Sequence, residues 1–69
     1  MVEVFKTDIH QSNVADQVRA DLLAKFPACK INFDLGDCDH ILRIESAVDI
    51  GRKVEEEVSK RGFYCEELY

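Results

Sequence analysis

The sequence lacks the features that would direct it to a nucleic acid or a membrane. Its longest run of basic residues is the pair Arg52 and Lys53, and its formal net charge is -5. Neither a phosphate backbone nor an anionic membrane surface would attract such a chain strongly. No apolar run approaches the length of a membrane span. Met1 leads directly into a strand-like segment with no signal-peptide core, which predicts a cytoplasmic location. We therefore expect neither a nucleic-acid nor a membrane partner.

Closely spaced cysteine pairs, linkers and repeats are also missing. The three cysteines, Cys29, Cys38 and Cys65, are odd in number and form no CxxC motif, which predicts free thiols in a reducing compartment. Residues 1–69 are predicted to form one small domain whose core leaves little margin over the entropy cost of folding. Apolar residues make up 46% and charged residues 33% of the chain. Such a composition is typical of a globular domain and too apolar for a disordered one.

What the sequence does contain is a regular succession of strand and helix patterns. The opening alternation VEVF predicts a first strand. Apolar residues spaced four apart predict a helix over residues 14–26, which Pro27 ends. Ser46 is a suitable cap for a second helix over residues 47–61, and Gly62 supplies the left-handed position that stops it. The ending FYCEEL predicts a last strand.

The central segment CKINFDLGDCDHILRIE, residues 29–45, is typical of a β-hairpin. We place Gly36 and Asp37 at the centre of a tight turn. This register pairs Leu35 with Cys38, Phe33 with His40, Ile31 with Leu42 and Cys29 with Ile44. One face of the hairpin is then nearly all apolar, and the other is polar.

The order strand, helix, strand, strand, helix, strand predicts an α+β fold of the ferredoxin-like, split βαβ type. Right-handed crossovers place both helices on one face of a four-stranded antiparallel sheet. The apolar face of the hairpin then packs on the helices.

With this element order, the chain resembles the heavy-metal-associated domains, the small ferredoxin-like modules of copper chaperones and metal-transporting ATPases. The resemblance covers nearly the whole chain and rests on the helix VADQVRADLLAKFP, the strand INFDLGD and the ending RGFYCEEL. The family carries a Met-x-Cys-x-x-Cys loop after the first strand, where two thiolates bind copper. Both cysteines are missing here. His10 and Asn13 stand in their places by loop spacing, whereas Gln11 and Val14 do so by the helix pattern.

Substitute ligands define the first candidate site. The loop after the first strand, the hairpin turn and the last strand meet at one end of the predicted sheet. They carry His10, Cys38, His40 and Cys65, which are suitable ligands for zinc or copper if they point together. The competing interpretation makes Cys38 and Cys65 small core residues and lets His40 bond a backbone carbonyl.

The face of the sheet away from the helices is the second candidate site. If Val2 and Val4 point towards the helices, Phe5, Ile41 and Tyr64 project from three adjacent strands on the other face. An exposed apolar cluster on a small domain is typical of a contact with a protein partner or a second copy. Scattered surface apolar residues are the competing interpretation.

These patterns favour a non-enzymatic binding domain. Either it binds a transition metal, zinc or copper, through substitute ligands, or it is a protein-interaction module without a metal. A small-ligand regulatory module, similar to the ACT-like domains, stays open as a further alternative and predicts a pocket near the first loop. An enzyme is disfavoured because too few polar groups converge to assemble a reaction site.

Overall fold

The structure is a four-stranded antiparallel sheet with two helices packed on one face. The computed structural model describes residues 1–36 and 38–68. The elements are β1 (Val2–Thr7), α1 (Ser12–Lys25), β2 (Lys30–Asp34), β3 (Ile41–Glu45), α2 (Gly51–Lys60) and β4 (Cys65–Leu68). The strands lie in the order β2-β3-β1-β4, which confirms the predicted ferredoxin-like arrangement. Within the described residues, neither helix is long and apolar enough to cross a membrane.

The first helix follows its apolar pattern. Ala15, Val18 and Leu22 lie on its buried side, as expected for residues three to four apart on one helix face. At its end the Phe26 amide still donates to the Leu22 carbonyl at 2.7 Å. Pro27 follows, and its missing N–H cannot continue the helix.

The second helix begins at Gly51, later than the predicted start at residue 47. Ser46 does not cap it. Instead the Ser46 hydroxyl accepts the Val48 N–H at 3.1 Å, and the Asp49 carboxylate accepts the Gly51 N–H at 3.1 Å. These short-range bonds offer the backbone an alternative to the helix, so residues 46–50 form a loop.

The register of the hairpin differs from the predicted one by two residues. Ile31 lies opposite Ile44, and Phe33 lies opposite Leu42. The connection therefore spans residues 35–40 instead of a two-residue turn, and Asp37, placed at its centre by the prediction, lies outside the described residues. A shift of two preserves the faces, because side chains alternate with a period of two.

A side-chain bond at the start of the connection accounts for its length. The Asp34 carboxylate accepts the Gly36 N–H at 3.2 Å, which turns the chain away before Leu35 can pair. The chain returns through His40, whose φ of 48° lies in the left-handed region.

The core lies between the sheet and the helices. Its buried apolar residues are Phe5, Ile9, Ala15, Val18, Leu22, Ile31, Leu42, Ile44, Ile50, Val54 and Val58. Burying one large aliphatic or aromatic side chain contributes about 1.5–3 kcal/mol. The apolar faces predicted for the hairpin and both helices meet in this cluster.

Candidate functional site

Two of the four predicted metal ligands lie together beside the end of β1. The imidazole rings of His10 and His40 meet edge to face with their centroids 6.0 Å apart. Thr7 connects the segments that carry the two histidines. Its hydroxyl donates to the His40 carbonyl at 2.6 Å and accepts the Ile9 N–H at 3.2 Å. His40 Nδ1 is buried and has no hydrogen-bond partner among residues 1–36 and 38–68. The expected bond from this ring to a backbone carbonyl is therefore not formed through Nδ1.

The two cysteines predicted to complete the site are placed differently from each other. Cys38 is exposed, because the longer connection carries it out of the sheet, so its predicted core role is wrong. Cys65 lies opposite Thr7 on β4 and packs against the core. Burial, with smaller contributions from Glu55 and Glu67, raises the pKa of the Cys65 thiol to about 12. Since the thiolate is the nucleophile, Cys65 is poorly suited to nucleophilic attack at neutral pH.

The four predicted ligands do not form one metal site. Within residues 1–36 and 38–68, no three His, Cys, Asp or Glu side chains are placed to hold a metal ion together. The structure thus brings His10 to His40, but it leaves Cys65 in the core and Cys38 on the surface.

The orientation of β1 is opposite to the one assumed for the second candidate site. Glu3, Phe5 and Thr7 face the helices, and Phe5 is completely buried, so its predicted place on the exposed face is wrong. The reason is pairing: directly opposite residues of antiparallel strands share a face, and Phe5 lies opposite Leu42 in the core.

The other two predicted surface residues are only partly as expected. By register Ile41 shares the uncovered face with Lys6, but it is 7% exposed. Tyr64 precedes β4 and is 49% exposed. The predicted cluster of three apolar residues is therefore not present.

A different apolar stripe occupies the uncovered face. We define the open face by the residues that share it by register: Lys30, Asn32, Asp34, Ile41, Arg43, Glu45, Val2, Val4, Lys6, Glu66 and Leu68. Val4 lies between Arg43 and Leu68 across neighbouring strands, and Val2 beside it is 57% exposed. Charged residues surround this stripe, and neither helix of the described residues covers it. The opening alternation VEVF indicated that the two faces of β1 differ. The prediction, however, placed Val2 and Val4 inside and Phe5 outside, the reverse of what is found.

A buried carboxyl group lies at the start of α2. Glu3 is 6% exposed; one of its oxygens accepts the Ile50 N–H at 3.2 Å, and the other has no partner within residues 1–36 and 38–68. A Cβ atom on Gly51 would lie 2.8 Å from that second oxygen, so glycine allows the close approach. Burial raises the pKa of the Glu3 carboxyl, and the charges of Asp49 and Glu67 add to the effect.

A second carboxyl group, on Glu57, connects the two helices. It accepts from Lys25 of α1 at 3.0 Å and from Arg61 at 3.1 Å, and Arg61 also contacts Asp21 at 2.9 Å. Hydrogen bonds from Lys25 and then from Arg61 lower the pKa of Glu57 to about 2. This network is structural: every charge in it has an opposite partner.

Open clefts lie at the edges of the helical layer formed by residues 1–36 and 38–68. The cleft between α1 and β2 has a volume of about 340 Å³, and the one between α1 and Arg61 about 450 Å³. The cleft beside the first loop, near His10 and Phe63, has about 160 Å³. It falls below the roughly 300–1,000 Å³ of typical small-molecule pockets, and so it gives the ACT-like alternative little support.

Comparison with protein families, with curated proteins and with solved structures found no match to this chain. The resemblance to heavy-metal-associated domains therefore stays a prediction from the sequence.

Proposed function

We propose that this chain is a non-enzymatic protein-interaction domain that binds its partner through the open face. The observation that carries the proposal is the uncovered stripe of Val2, Val4 and Leu68 across two adjacent strands. An apolar patch rimmed by charged residues is typical of a protein contact. The rim residues Lys6, Arg43 and Glu66 supply the charges that fix orientation and exclude wrong partners.

The chemistry of the chain favours a basic partner. A net charge of -5 on 69 residues raises the encounter rate with positively charged proteins and repels acidic ones. We therefore assign the open face to a protein of net positive charge whose docking surface is apolar at its centre and carries charges of both signs at its rim, as the open face itself does.

The separation of the reactive side chains supports a binding role over catalysis. A nucleophilic thiol needs an adjacent base and a lowered pKa. The thiol of Cys65 has a raised pKa, and Cys38 lies exposed in the connection between β2 and β3.

Two valines of similar exposure allow a matched test of the open face. Val2 is 57% exposed on this face, whereas Val48 is 62% exposed in the loop before α2. With a purified partner, we expect Val2→Lys to weaken binding about tenfold or more, because it puts a charge into the exposed apolar stripe. Val48→Lys should leave the affinity unchanged. Calorimetric titration measures both.

Both variants should fold, so a difference between their affinities reports on the contact and not on misfolding. The new lysine at position 2 would lie opposite Glu45, a favourable cross-strand pair. Equal losses in both variants, or an unaffected Val2→Lys, would contradict the proposal, as would the absence of any protein that binds the wild-type chain.

The His10–His40 pair favours a second candidate function, transition-metal binding. A metal bound by one nitrogen of each ring at its usual distance places the ring centroids roughly 5–6 Å apart. The observed 6.0 Å agrees with this, and His40 Nδ1 has no partner within residues 1–36 and 38–68. Imidazole nitrogens suit zinc and copper.

This candidate predicts that equimolar Zn²⁺ or Cu⁺ shifts the NMR signals of both histidine rings in the reduced protein. His10→Gln should abolish the shift at His40, since one imidazole alone binds weakly. Unchanged spectra at both histidines would exclude metal binding at this site and leave protein interaction as the proposed function.

A further inference from the structure

β2 is an edge strand whose outer side is partly unpaired. Among residues 1–36 and 38–68, the order β2-β3-β1-β4 gives this strand a neighbour on one side only. The Ile31 carbonyl accepts from Arg19 Nε of α1 at 2.7 Å, so the backbone polar groups of Ile31 point away from β3. Backbone direction alternates along a strand, and the N–H and carbonyl of Phe33 therefore point outwards too. Such an edge is a template for pairing with another strand.

The helix next to this edge leaves room for an added strand. The cleft of about 340 Å³ between α1 and β2 is lined by Asp16 and Arg19 on the helix and by Asn32 and Phe33 on the strand. α1 thus reaches the edge at Ile31 through Arg19 but leaves the edge at Phe33 open.

The side chains of β2 are self-complementary. Lys30, Asn32 and Asp34 are exposed and lie on the open face, two residues apart. If a second copy pairs antiparallel with its two-fold axis at Asn32, Lys30 lies opposite the partner's Asp34, and Asp34 opposite the partner's Lys30. Registers centred on Ile31 or Phe33 pair neither charge with its opposite. Opposite charges facing each other across strands stabilise the pair, whereas like charges destabilise it.

A two-fold axis at Asn32 also agrees with the outward direction of the backbone groups and with the position of the cleft. Ile31 then lies opposite the partner's Phe33, and each Ile31 N–H donates to the Phe33 carbonyl of the other copy. The Ile31 carbonyl already accepts from Arg19, so the pairing depends on these two bonds. Arg19 lies at the level of Ile31, and Asp16 lines the cleft with Phe33. Arg19 and Asp16 both line this cleft on the helical side of the edge.

The other edge of the sheet does not offer this pairing. On β4 the Glu67 N–H already donates to Glu55 of α2 at 2.8 Å. An equivalent axis at Glu66 would place two Glu66 carboxylates opposite each other, which is unfavourable. Self-association through β2 alone is isologous and closes as a dimer.

We propose that two copies of this chain form a closed dimer by antiparallel pairing of their β2 strands about Asn32, which yields a continuous eight-stranded sheet with both open faces on the same side. The inference goes beyond the proposed function, since the partner contact is centred on Val2, Val4 and Leu68 of β1 and β4, whereas the dimer contact uses the outer edge of β2.

Charge exchange across the axis tests the dimer. We expect sedimentation equilibrium to show a monomer–dimer equilibrium for the wild type, weakened about tenfold by Lys30→Glu, which sets a like charge against the partner's Asp34 twice per dimer. The double variant Lys30→Asp with Asp34→Lys should restore dimerisation, because it exchanges the two charges. Lys53→Glu, on the exposed side of α2, is the control and should dimerise like the wild type.

Three results would overturn the inference: a monomeric wild type at all concentrations up to the solubility limit, equal dimerisation of Lys30→Glu and the wild type, or no recovery in the double variant. Partner binding by the open face is measured separately with Val2→Lys. A failure of the dimer therefore leaves the proposed function standing, and a failure of the proposed function leaves the dimer standing.

Discussion

Replacing Phe5 by alanine is expected to lower the free energy of unfolding by about 3–5 kcal/mol, the usual cost of emptying a buried aromatic site. Phe5 is completely buried at the centre of the sheet and belongs to the core that joins it to both helices. Small domains have only about 5–15 kcal/mol in total, so this loss removes a large share of the stability. Urea unfolding followed by circular dichroism measures the loss.

Val2→Ala is the matched control on the same strand. Its side chain is 57% exposed, and surface substitutions usually change stability by less than about 0.5 kcal/mol. If β1 had the opposite orientation, Val2→Ala would be costly and Phe5→Ala mild. That result would contradict both the core and the open face described above.

Replacing Glu3 by glutamine is expected to stabilise the protein at neutral pH by about 1–3 kcal/mol, the range for relieving a buried polar group without a partner. The amide oxygen can still accept the Ile50 N–H, which Glu3 accepts at 3.2 Å. The new NH₂ group can donate towards Asp49 and Glu67, whose charges now repel Glu3.

The pH dependence of this gain follows from the raised pKa of Glu3. A carboxyl whose folded pKa lies above its unfolded value of 4.5 binds its proton more tightly in the folded state. Its stabilising contribution is complete below the unfolded pKa and is lost as the pH rises through the folded pKa. The advantage of Glu3→Gln over the wild type should therefore be small near pH 4 and largest at pH 7. Glu57, whose pKa is lowered to about 2, is present in both proteins. It therefore does not change the stability difference between them.

Glu56→Gln, on the exposed side of α2, is the control for the Glu3 prediction. Its free energy of unfolding, relative to the wild type, should not rise comparably as the pH increases. An equal gain there would mean that general charge repulsion, and not the buried carboxyl, explains the effect. Urea midpoints measured over this pH range decide between the two.

The element order of the fold could be predicted because it depends on local patterns. The apolar residues of α1 recur at helical spacing, and Ala15, Val18 and Leu22 are buried as expected. The faces of the hairpin were also predicted correctly, although its register was shifted by two residues. A slip of two exchanges no side chain between faces, so the pattern constrains the faces more strongly than the register.

The orientation of β1 and the length of the hairpin connection depend on contacts that a local pattern does not contain. A six-residue central strand with apolar residues on both faces can place either set inside. Pairing with Leu42 places Phe5 there. The Asp34 bond to Gly36 and the left-handed His40 lengthen the connection. That length moves Cys38 to the surface while His40 stays beside His10, which is why the predicted ligands separate.

The most direct measurement of the open-face proposal is a map of amide shifts in the labelled chain as its purified partner is added. The account predicts that the large shifts lie on Val2–Thr7, Arg43 and Cys65–Leu68, with the outer sides of both helices unaffected. Shifts centred on the helices, or on the cleft near His10 and Phe63, would contradict it.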